Sequence, residues 1–165
     1  MIEIFEATTE DLFEIREIAY KTWPYAYGEI LKREQIDYML NLFYTEAALK
    51  ENILEKGHFF LLAKSHDTPI GFASFEHQYT NQKLTRLHKL YVLPEAQGKA
   101  VGRLLVAAVE LSAHQNKSKI ISLNVNKFNK AIHFYRNLGF ETVGEQDIEL
   151  AHGYLMEDYK MEKVL

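Results

Sequence analysis

Apolar and polar residues alternate along the N-terminal part of the chain with two different periods. Residues 2–6 alternate with the two-residue period of a short strand. Thr8 and Asp11, three positions apart, are typical of a capping box that opens a helix over about 9–23. Pro24 is expected to end that helix, because proline removes a backbone donor from the helical turn.

Two more helices and a hairpin are predicted next. Apolar residues recur at helical spacing over 33–44, and Thr45 can cap a third helix that ends at Gly57. The runs 58–65 and 69–77 have the composition of strands and are separated by a short turn. They therefore predict a β-hairpin.

Strands and helices alternate in the second half of the chain. The predicted elements are a strand at 84–92, a helix from Val101, a strand at 119–125, a helix from about 127 that stops at Gly139, and closing strands at 140–149 and 154–163. No linker, internal repeat or low-complexity segment interrupts them. The sequence thus predicts a single domain, residues 1–165, of the α/β class with a mixed sheet.

Composition narrows the classes of function. Hydrophobic residues make up 47% of the 165 residues, which predicts a folded globular protein. With 19 Lys and Arg against 23 Asp and Glu, the net charge of −4 argues against nucleic acid or an anionic membrane as the main partner. The absence of cysteine excludes disulfides, Cys-based zinc sites and a catalytic thiol. Because no apolar run is long enough for a membrane span, we expect a soluble, cytoplasmic protein.

The stretch from Leu90 to Arg103 is the most informative part of the sequence. A strand is followed by a turn of small residues and a helix N-terminus, which presents free backbone N–H groups to an anion. Small residues allow close approach and basic ones add positive charge: Gly98, Ala100 and Gly102, with Lys99 and Arg103. The segment is neither a Walker A loop nor a GxGxxG fingerprint. The alternative is an ordinary strand-to-helix turn with a surface lysine.

A second segment, residues 123–140, is again a strand followed by an amphipathic helix with a glycine beyond its end. Together the two segments resemble the GCN5-related N-acetyltransferase (GNAT) superfamily. The first matches its LxV-x-P and Q/R-x-x-G-x-G/A pattern, and the second its N-x-x-A-x-x-F-Y-x-x-x-G-F pattern. The resemblance implies a mostly antiparallel, twisted sheet with helices on both faces.

The resemblance also implies a binding site for acetyl-CoA between strands 84–92 and 119–125, and no metal. The pantetheine would pair with the strand and the pyrophosphate would rest on the following amides. The cofactor-binding residues so implied are Leu90, Tyr91, Val92, Gln97, Gly98, Lys99, Ala100, Val101, Gly102, Arg103 and Asn129. Asn129 could instead only cap its helix. Ala100 replaces a family glycine, and we predict a negative φ there, since a left-handed alanine would cost roughly 1–2 kcal/mol.

The implied chemistry is direct attack of an amine on the thioester, which needs no covalent enzyme intermediate. Tyr135 matches the family tyrosine that protonates the leaving thiolate; its alternative role is aromatic packing. Arg86 stands where some members carry a glutamate base. His88, two residues on, is the candidate base, with Glu76 or a water chain as alternatives and a structural role for His88 left open.

The acceptor site is implied to lie between the early helices and the closing hairpin. Those regions carry aromatic and acidic residues that suit a cation: Trp23, Tyr25, Tyr27, Tyr38 and Tyr44, with Glu29, Asp37, Glu46, Glu157 and Asp158. Their segments look like the PaiA-type polyamine acetyltransferases, which act on spermidine and spermine. We predict substrate contacts from Trp23, Tyr27, Tyr38 and Glu76; the alternative is that the aromatics are core and the acids solvated surface.

Two other functions stay open at this point. The chain could acetylate a protein N-terminus or lysine, which would make its partner a peptide amine rather than a small-molecule amine. It could also be a catalytically inactive CoA-binding regulatory protein. Arg86 and Ala100, which both differ from the family pattern, are compatible with this alternative. An exposed edge in the closing hairpin is compatible with a homodimer.

Overall fold

Seven strands form one sheet, and five helices cover its two faces. The computed structural model describes all residues from Met1 to Leu165. The strands are β1 (Ile2–Glu6), β2 (Phe59–Ser65), β3 (Thr68–Glu76), β4 (Leu84–Val92), β5 (Ile120–Asn126), β6 (Glu141–Glu149) and β7 (Leu155–Val164). The helices are α1 (Leu12–Tyr27), α2 (Arg33–Phe43), α3 (Glu46–Leu54), α4 (Val101–Gln115) and α5 (Ala131–Asn137). None of these helices has the length and apolar character that crossing a bilayer requires.

The strand order is β1-β2-β3-β4-β5-β7-β6, and every neighbouring pair is antiparallel except β4 and β5. The parallel pairing is short, running only from Leu84 opposite Ile120 to Arg86 opposite Ser122. Beyond it the two strands separate. The sheet therefore opens in its middle, and the mixed, mostly antiparallel sheet expected from the sequence is confirmed.

A β-bulge lies in β4 where this opening begins. Phe75 of β3 pairs with Leu87, whereas Ser74 pairs with Lys89, so His88 is the extra residue of the bulge. Such a bulge re-aims the side chains around it, because two residues of one strand face one residue of its neighbour. His88 is thereby set apart from the regular alternation of β4.

Residues on successive positions of β3 show how the helices divide between the faces. An added Cβ at Gly71 would lie 3.3 Å from Val101 of α4, whereas Phe72 packs against Tyr44, next to α2. Because neighbouring residues in a strand point to opposite faces, α4 covers one face and the N-terminal helices cover the other. Both faces of β3 are consequently covered, and most of its residues are buried.

Most predicted boundaries agree with the structure, and the capping box is present. The Thr8 N–H donates to Asp11 Oδ2 at 2.8 Å. The prediction that Pro24 ends the first helix is wrong, since α1 continues to Tyr27. Proline inside a helix costs about 3 kcal/mol, but the turn around it buries Trp23 and Tyr27, each worth roughly 1.5–3 kcal/mol. Tertiary packing outweighs the missing hydrogen bond.

The helix predicted from about 127 begins instead at Ala131. Two asparagines hold the preceding segment in turns: Asn126 Oδ1 accepts the Phe128 N–H and Asn129 Oδ1 accepts the Ala131 N–H, both at 2.9 Å. Asparagine side chains favour such local turns over helix interiors. The helix therefore starts only after the second turn is complete.

Ala100 also departs from expectation, because its φ is +63° and not negative. It follows Gly98, whose φ is +79°, in the turn that leads from β4 into α4. The Ala100 carbonyl accepts the Leu104 N–H at 3.0 Å, so the residue closes the first turn of α4 while its own backbone is left-handed. The position keeps the backbone shape of a glycine although it carries a methyl group.

We expect Ala100→Gly to stabilise the fold by about 0.5–1 kcal/mol, because it relieves a left-handed alanine at the cost of some chain entropy. Urea unfolding monitored by circular dichroism measures this change. The matched control is Ala107→Gly, the same substitution on the exposed surface inside α4, which should destabilise by a similar amount. If Ala100→Gly were less stable than the wild-type protein, the hypothesis that Ala100 is strained would be wrong.

Candidate active site

A cavity of about 350 Å³ fills the opening between β4 and β5. Residues from both strands line it, and α1, α5 and the closing hairpin β6–β7 complete its walls. The volume is that of a small-molecule site. The divergence of two strands, and not a loop, thus creates the pocket.

One wall of the cavity is the free edge of β4. From Leu87 onward this edge has no partner in β5, while the opposite edge is bonded to β3 as far as Val92. Leu90 and Tyr91 line the cavity and Val92 follows them along the strand. Unpaired backbone groups of this kind can bond an extended ligand as if it were an added strand.

The helix N-terminus after β4 has the features of an anion site. The N–H groups of Val101, Gly102 and Arg103 donate no hydrogen bond within the chain. Gln97, Gly98, Lys99 and Ala100 before them are exposed, as is Arg103. Free amides, the positive helix end and two basic side chains together fit a pyrophosphate.

Gly102 serves a second purpose in this region. A Cβ at this position would lie 3.2 Å from the ring of Phe134 in α5. This distance is shorter than nearly all real contacts of a Cβ atom. Glycine at this position therefore lets α4 and α5 approach each other closely. The same contact holds α5, and with it Tyr135, against the start of α4.

Tyr135 and Asn129 reach the cavity from the second motif. Tyr135 is buried, lies edge-on to Phe134 and Phe140, and lines the cavity. Burial raises the pKa of Tyr135, so its phenol remains protonated at neutral pH. Asn129 also lines the cavity, and its Oδ1 is already used to cap α5. Its amide nitrogen remains the group that can bond a ligand.

Aromatic side chains form the wall on the side of the N-terminal helices. Trp23 and Tyr27 are buried with ring centroids 4.6 Å apart, and the Tyr27 hydroxyl lies 3.2 Å from that of Tyr91. Trp23, Tyr27 and Tyr44 line the cavity. Tyr38 does not; it packs against Tyr154 of the closing hairpin, with centroids 5.4 Å apart.

His88 belongs to a three-residue cluster that the sequence pattern did not indicate. His88 Nε2 and His58 Nε2 lie 2.9 and 3.3 Å from the same oxygen, Glu76 Oε1, and the two imidazoles stack at 4.1 Å. The cluster spans β4, β3 and the start of β2, where His58 N–H donates to Asn52 O. His58 was missed, because its partners come from strands far apart in sequence. Glu76 touches the cavity only through His88.

Electrostatics keep the histidines of this cluster neutral. Burial, with the neighbouring cations Lys89 and Arg86, lowers the pKa of His88 to about 3. Burial and His88 lower the pKa of His58 to about 4, against the opposing effect of Glu76. In the neutral imidazole, Nε2–H donates to Glu76 and Nδ1 is the acceptor. The expected absence of a metal stays a prediction, since the three donor atoms lie within 4.8 Å of one another.

Asp158 of β7 is the second carboxylate at the site. It is only 6% exposed, lines the cavity, and its Oδ1 has no hydrogen-bond partner. Burial raises the pKa of Asp158 to about 6, although Arg86 opposes the shift. The sequence alone places Asp158 among several candidate acidic residues and does not distinguish it from its neighbour Glu157. By contrast Glu29, Asp37 and Glu46 are exposed.

Comparisons with known proteins agree with this geometry. The model of the acetyltransferase (GNAT) domain matches residues 29–163. An uncharacterized N-acetyltransferase, YuaI, of Bacillus subtilis is 29% identical over 95% of this chain and 90% of its own. Spermidine N(1)-acetyltransferase of Thermoplasma acidophilum is 28% identical over 85% of this chain and 88% of its own.

Solved structures share the fold over almost the full length. PaiA N-acetyltransferase from Thermoplasma acidophilum, solved with coenzyme A, superposes with a TM-score of 0.85 at 25% identity, covering 100% of this chain and 99% of its own. The ribosomal-protein-S18-alanine N-acetyltransferase of Escherichia coli shares the fold with a TM-score of 0.74 at 18% identity, covering 99% and 94%. With a family model that spans most of the chain, an open β4 edge and a turn with free amides at the start of α4, this protein belongs to the GNAT acetyltransferase family and is an acetyl-CoA-dependent N-acetyltransferase.

Proposed function

We propose that the protein transfers the acetyl group of acetyl-CoA to a primary amine of a small polyamine, such as spermidine or spermine. The observation that carries this proposal is the composition of the cavity, whose walls include aromatic rings and a buried carboxylate. Both kinds of group bind organic cations. The similarity to a protein named as a spermidine acetyltransferase supports the same acceptor class.

The cofactor would lie along the free edge of β4. Its pantetheine would bond the backbone at Leu90 and Val92, and its pyrophosphate would rest on the amides between Gly98 and Arg103. Asn129 would bond the same arm through its amide nitrogen. This placement directs the thioester along β4 toward the bulge at His88, in the cavity that Tyr135 also lines.

The transfer is a direct attack. The neutral amine nitrogen bonds to the acetyl carbonyl carbon, and the tetrahedral intermediate collapses as the C–S bond breaks to release CoA thiolate. The nitrogen then gives up its second proton, which reaches the thiolate through solvent, so that the products are the acetylated amine and CoA. The ammonium form has a pKa near 10.4 and must lose a proton first. His88, neutral and hydrogen-bonded to Glu76, takes up that proton only transiently and passes it to solvent, because its low pKa keeps the imidazolium from accumulating. Glu76 stabilises this short-lived cation.

Tyr135 acts at the leaving sulfur as a hydrogen-bond donor. A thiol has a pKa of about 8.5 and a phenol about 10, and burial raises the pKa of Tyr135 further. Complete proton transfer from this phenol to the thiolate therefore runs uphill. A fixed O–H aimed at the developing negative charge still lowers the barrier, as oxyanion-hole donors do.

Acceptor class is tested by a thiol-release assay over spermidine, spermine, lysine-containing peptides and peptides with a free N-terminus. We expect turnover with polyamines and at least tenfold lower kcat/KM with peptides. Titration calorimetry with acetyl-CoA provides the control for cofactor binding. Binding of acetyl-CoA without turnover of any amine would favour a regulatory protein, and a preference for peptides would overturn the acceptor.

Tyr135→Phe keeps the ring and removes the donor. We expect kcat to fall about 10²-fold, with the KM for acetyl-CoA changed by less than about twofold, because the lost bond forms only as the sulfur becomes charged. Steady-state kinetics with spermidine measure both constants. Tyr20→Phe is the matched control, since its hydroxyl bonds Asn41 away from the cavity. An unchanged kcat in Tyr135→Phe would refute the role.

His88→Ala should lower kcat roughly 10²-fold, and Glu76→Gln about tenfold because a neutral amide stabilises the imidazolium less well. The low pKa of His88 keeps it neutral from pH 6 to 9. We therefore expect the same loss at every pH in that window, measured by kcat at saturating substrates.

The control for these two variants is His114→Ala, at the exposed end of α4. A ratio of variant to wild-type kcat that changes about tenfold per pH unit near 6.5 would show that His88 is charged there. If His88→Ala and Glu76→Gln both keep the wild-type kcat, the general base does not belong to this cluster.

A further inference from the structure

Asp158 carries a buried negative charge that forms no ion pair within the protein. Its Oδ1 has no partner, and no ion pair to Asp158 exists anywhere in the chain. Burying a carboxylate without a partner is costly unless a cation arrives from outside. Because the side chain lines the cavity, that cation can be a ligand.

The cations near Asp158 are committed elsewhere. Arg86 Nη1 donates to Ser122 Oγ at 3.1 Å, and its guanidinium lies over the Tyr79 ring. Lys127 is paired with Glu145 at 3.0 Å and lies 4.0 Å from Asp147. Both act on Asp158 through space only. The carboxylate therefore remains available to a positively charged group in the cavity.

Asp158 and His88 occupy different walls of the same cavity. Asp158 lies on β7 opposite Asn126, the last residue of β5, whereas His88 is at the bulge of β4. β4 and β5 are paired only up to Arg86 and Ser122, and both His88 and Asp158 line the cavity that opens beyond this pairing. An acceptor that spans the cavity can meet both.

We propose that the Asp158 carboxylate binds the ammonium group of a diamine or polyamine acceptor that does not receive the acetyl group. This inference rests on the proposed function. Asp158 thus selects acceptors that carry a second positive charge at a distance from the reacting amine. The site discriminates a diamine from a monoamine by one charge-assisted hydrogen bond.

The ammonium group that Asp158 binds must be a different one from the amine that is acetylated. An ion pair favours the charged form of an amine and so opposes the loss of the proton that precedes attack. Placed against the reacting nitrogen, Asp158 would hinder the reaction. Placed against the other nitrogen, it holds the acceptor in position and leaves the reacting amine to neutral His88.

The test compares linear α,ω-diamines of three to six carbons with monoamines of the same length. We expect wild-type kcat/KM to be roughly 10–100-fold higher for the best diamine than for its monoamine, the value of one hydrogen bond to a charged group. Asp158→Asn should abolish this ratio by raising the KM of the diamine, leaving the monoamine within about threefold of wild type. Glu157→Gln, the adjacent neutralisation, is the matched control and should preserve the ratio.

The pH dependence provides a second kinetic readout. The charged groups around Asp158 are Arg86 of β4, Lys127 after β5 and Asp147 of β6, with Tyr27 of α1 beside them. The binding form is the carboxylate, so the diamine advantage should be full above pH 7 and fall as the pH drops through about 6. In Asp158→Asn the ratio should not change with pH.

Thermal unfolding separates binding from a structural role. Removing an unpaired buried charge should raise the Tm of Asp158→Asn by about 2–6 °C at pH 7.5, whereas a residue needed for the fold would lower it. A lowered Tm, or an equal loss of kcat/KM for diamine and monoamine, overturns the inference. If the wild-type protein has equal kcat/KM for the diamine and the monoamine, the role of Asp158 is refuted, but the acetyltransferase activity is not. No turnover of any amine overturns the proposed function as well.

Discussion

The short parallel pairing between β4 and β5 is the constraint on which the rest of the site depends. Hydrogen bonds join the two strands only from Leu84 to Arg86, and both strands then remain bonded to their other neighbours, β3 and β7. Because each strand is held on one side, they can diverge without losing the sheet. The unpaired edge and the cavity that His88 and Asp158 both line follow from this geometry.

The fold could be read from the sequence to a large extent, because it is specified by local signals. The Thr8–Asp11 capping box and the alternation of 84–92 each act within a few residues. Where prediction failed, the reasons differed: burial of Trp23 and Tyr27 carries α1 through Pro24, whereas the turn before α4 holds Ala100 at φ +63°. In both places the intrinsic preference of a single residue type did not decide its conformation.

Where a motif spans one strand and the next helix, the sequence can indicate residues that meet in space, and the structure places Leu90, Tyr91 and Tyr135 of two such motifs at one cavity. The site could not be predicted where partners come from separate strands. A one-residue bulge at His88 and the register of β2, β3 and β4 bring His58, Glu76 and His88 together, and a sequence does not display that register. Asp158 is distinguished from Glu157 only by which side of β7 faces the cavity.

Unsatisfied polar atoms show what the open sheet costs in stability. Trp23 Nε1, Asn124 Oδ1 and Asp158 Oδ1 are buried without partners, and all three residues line the cavity. Each such atom costs roughly 1–3 kcal/mol unless a ligand or water satisfies it. A closed pairing of β4 with β5 would remove the cavity that these atoms line. The chain instead keeps a donor and two acceptors at the walls of the cavity, and a cofactor and a cationic acceptor bound there can supply the partners that the fold lacks.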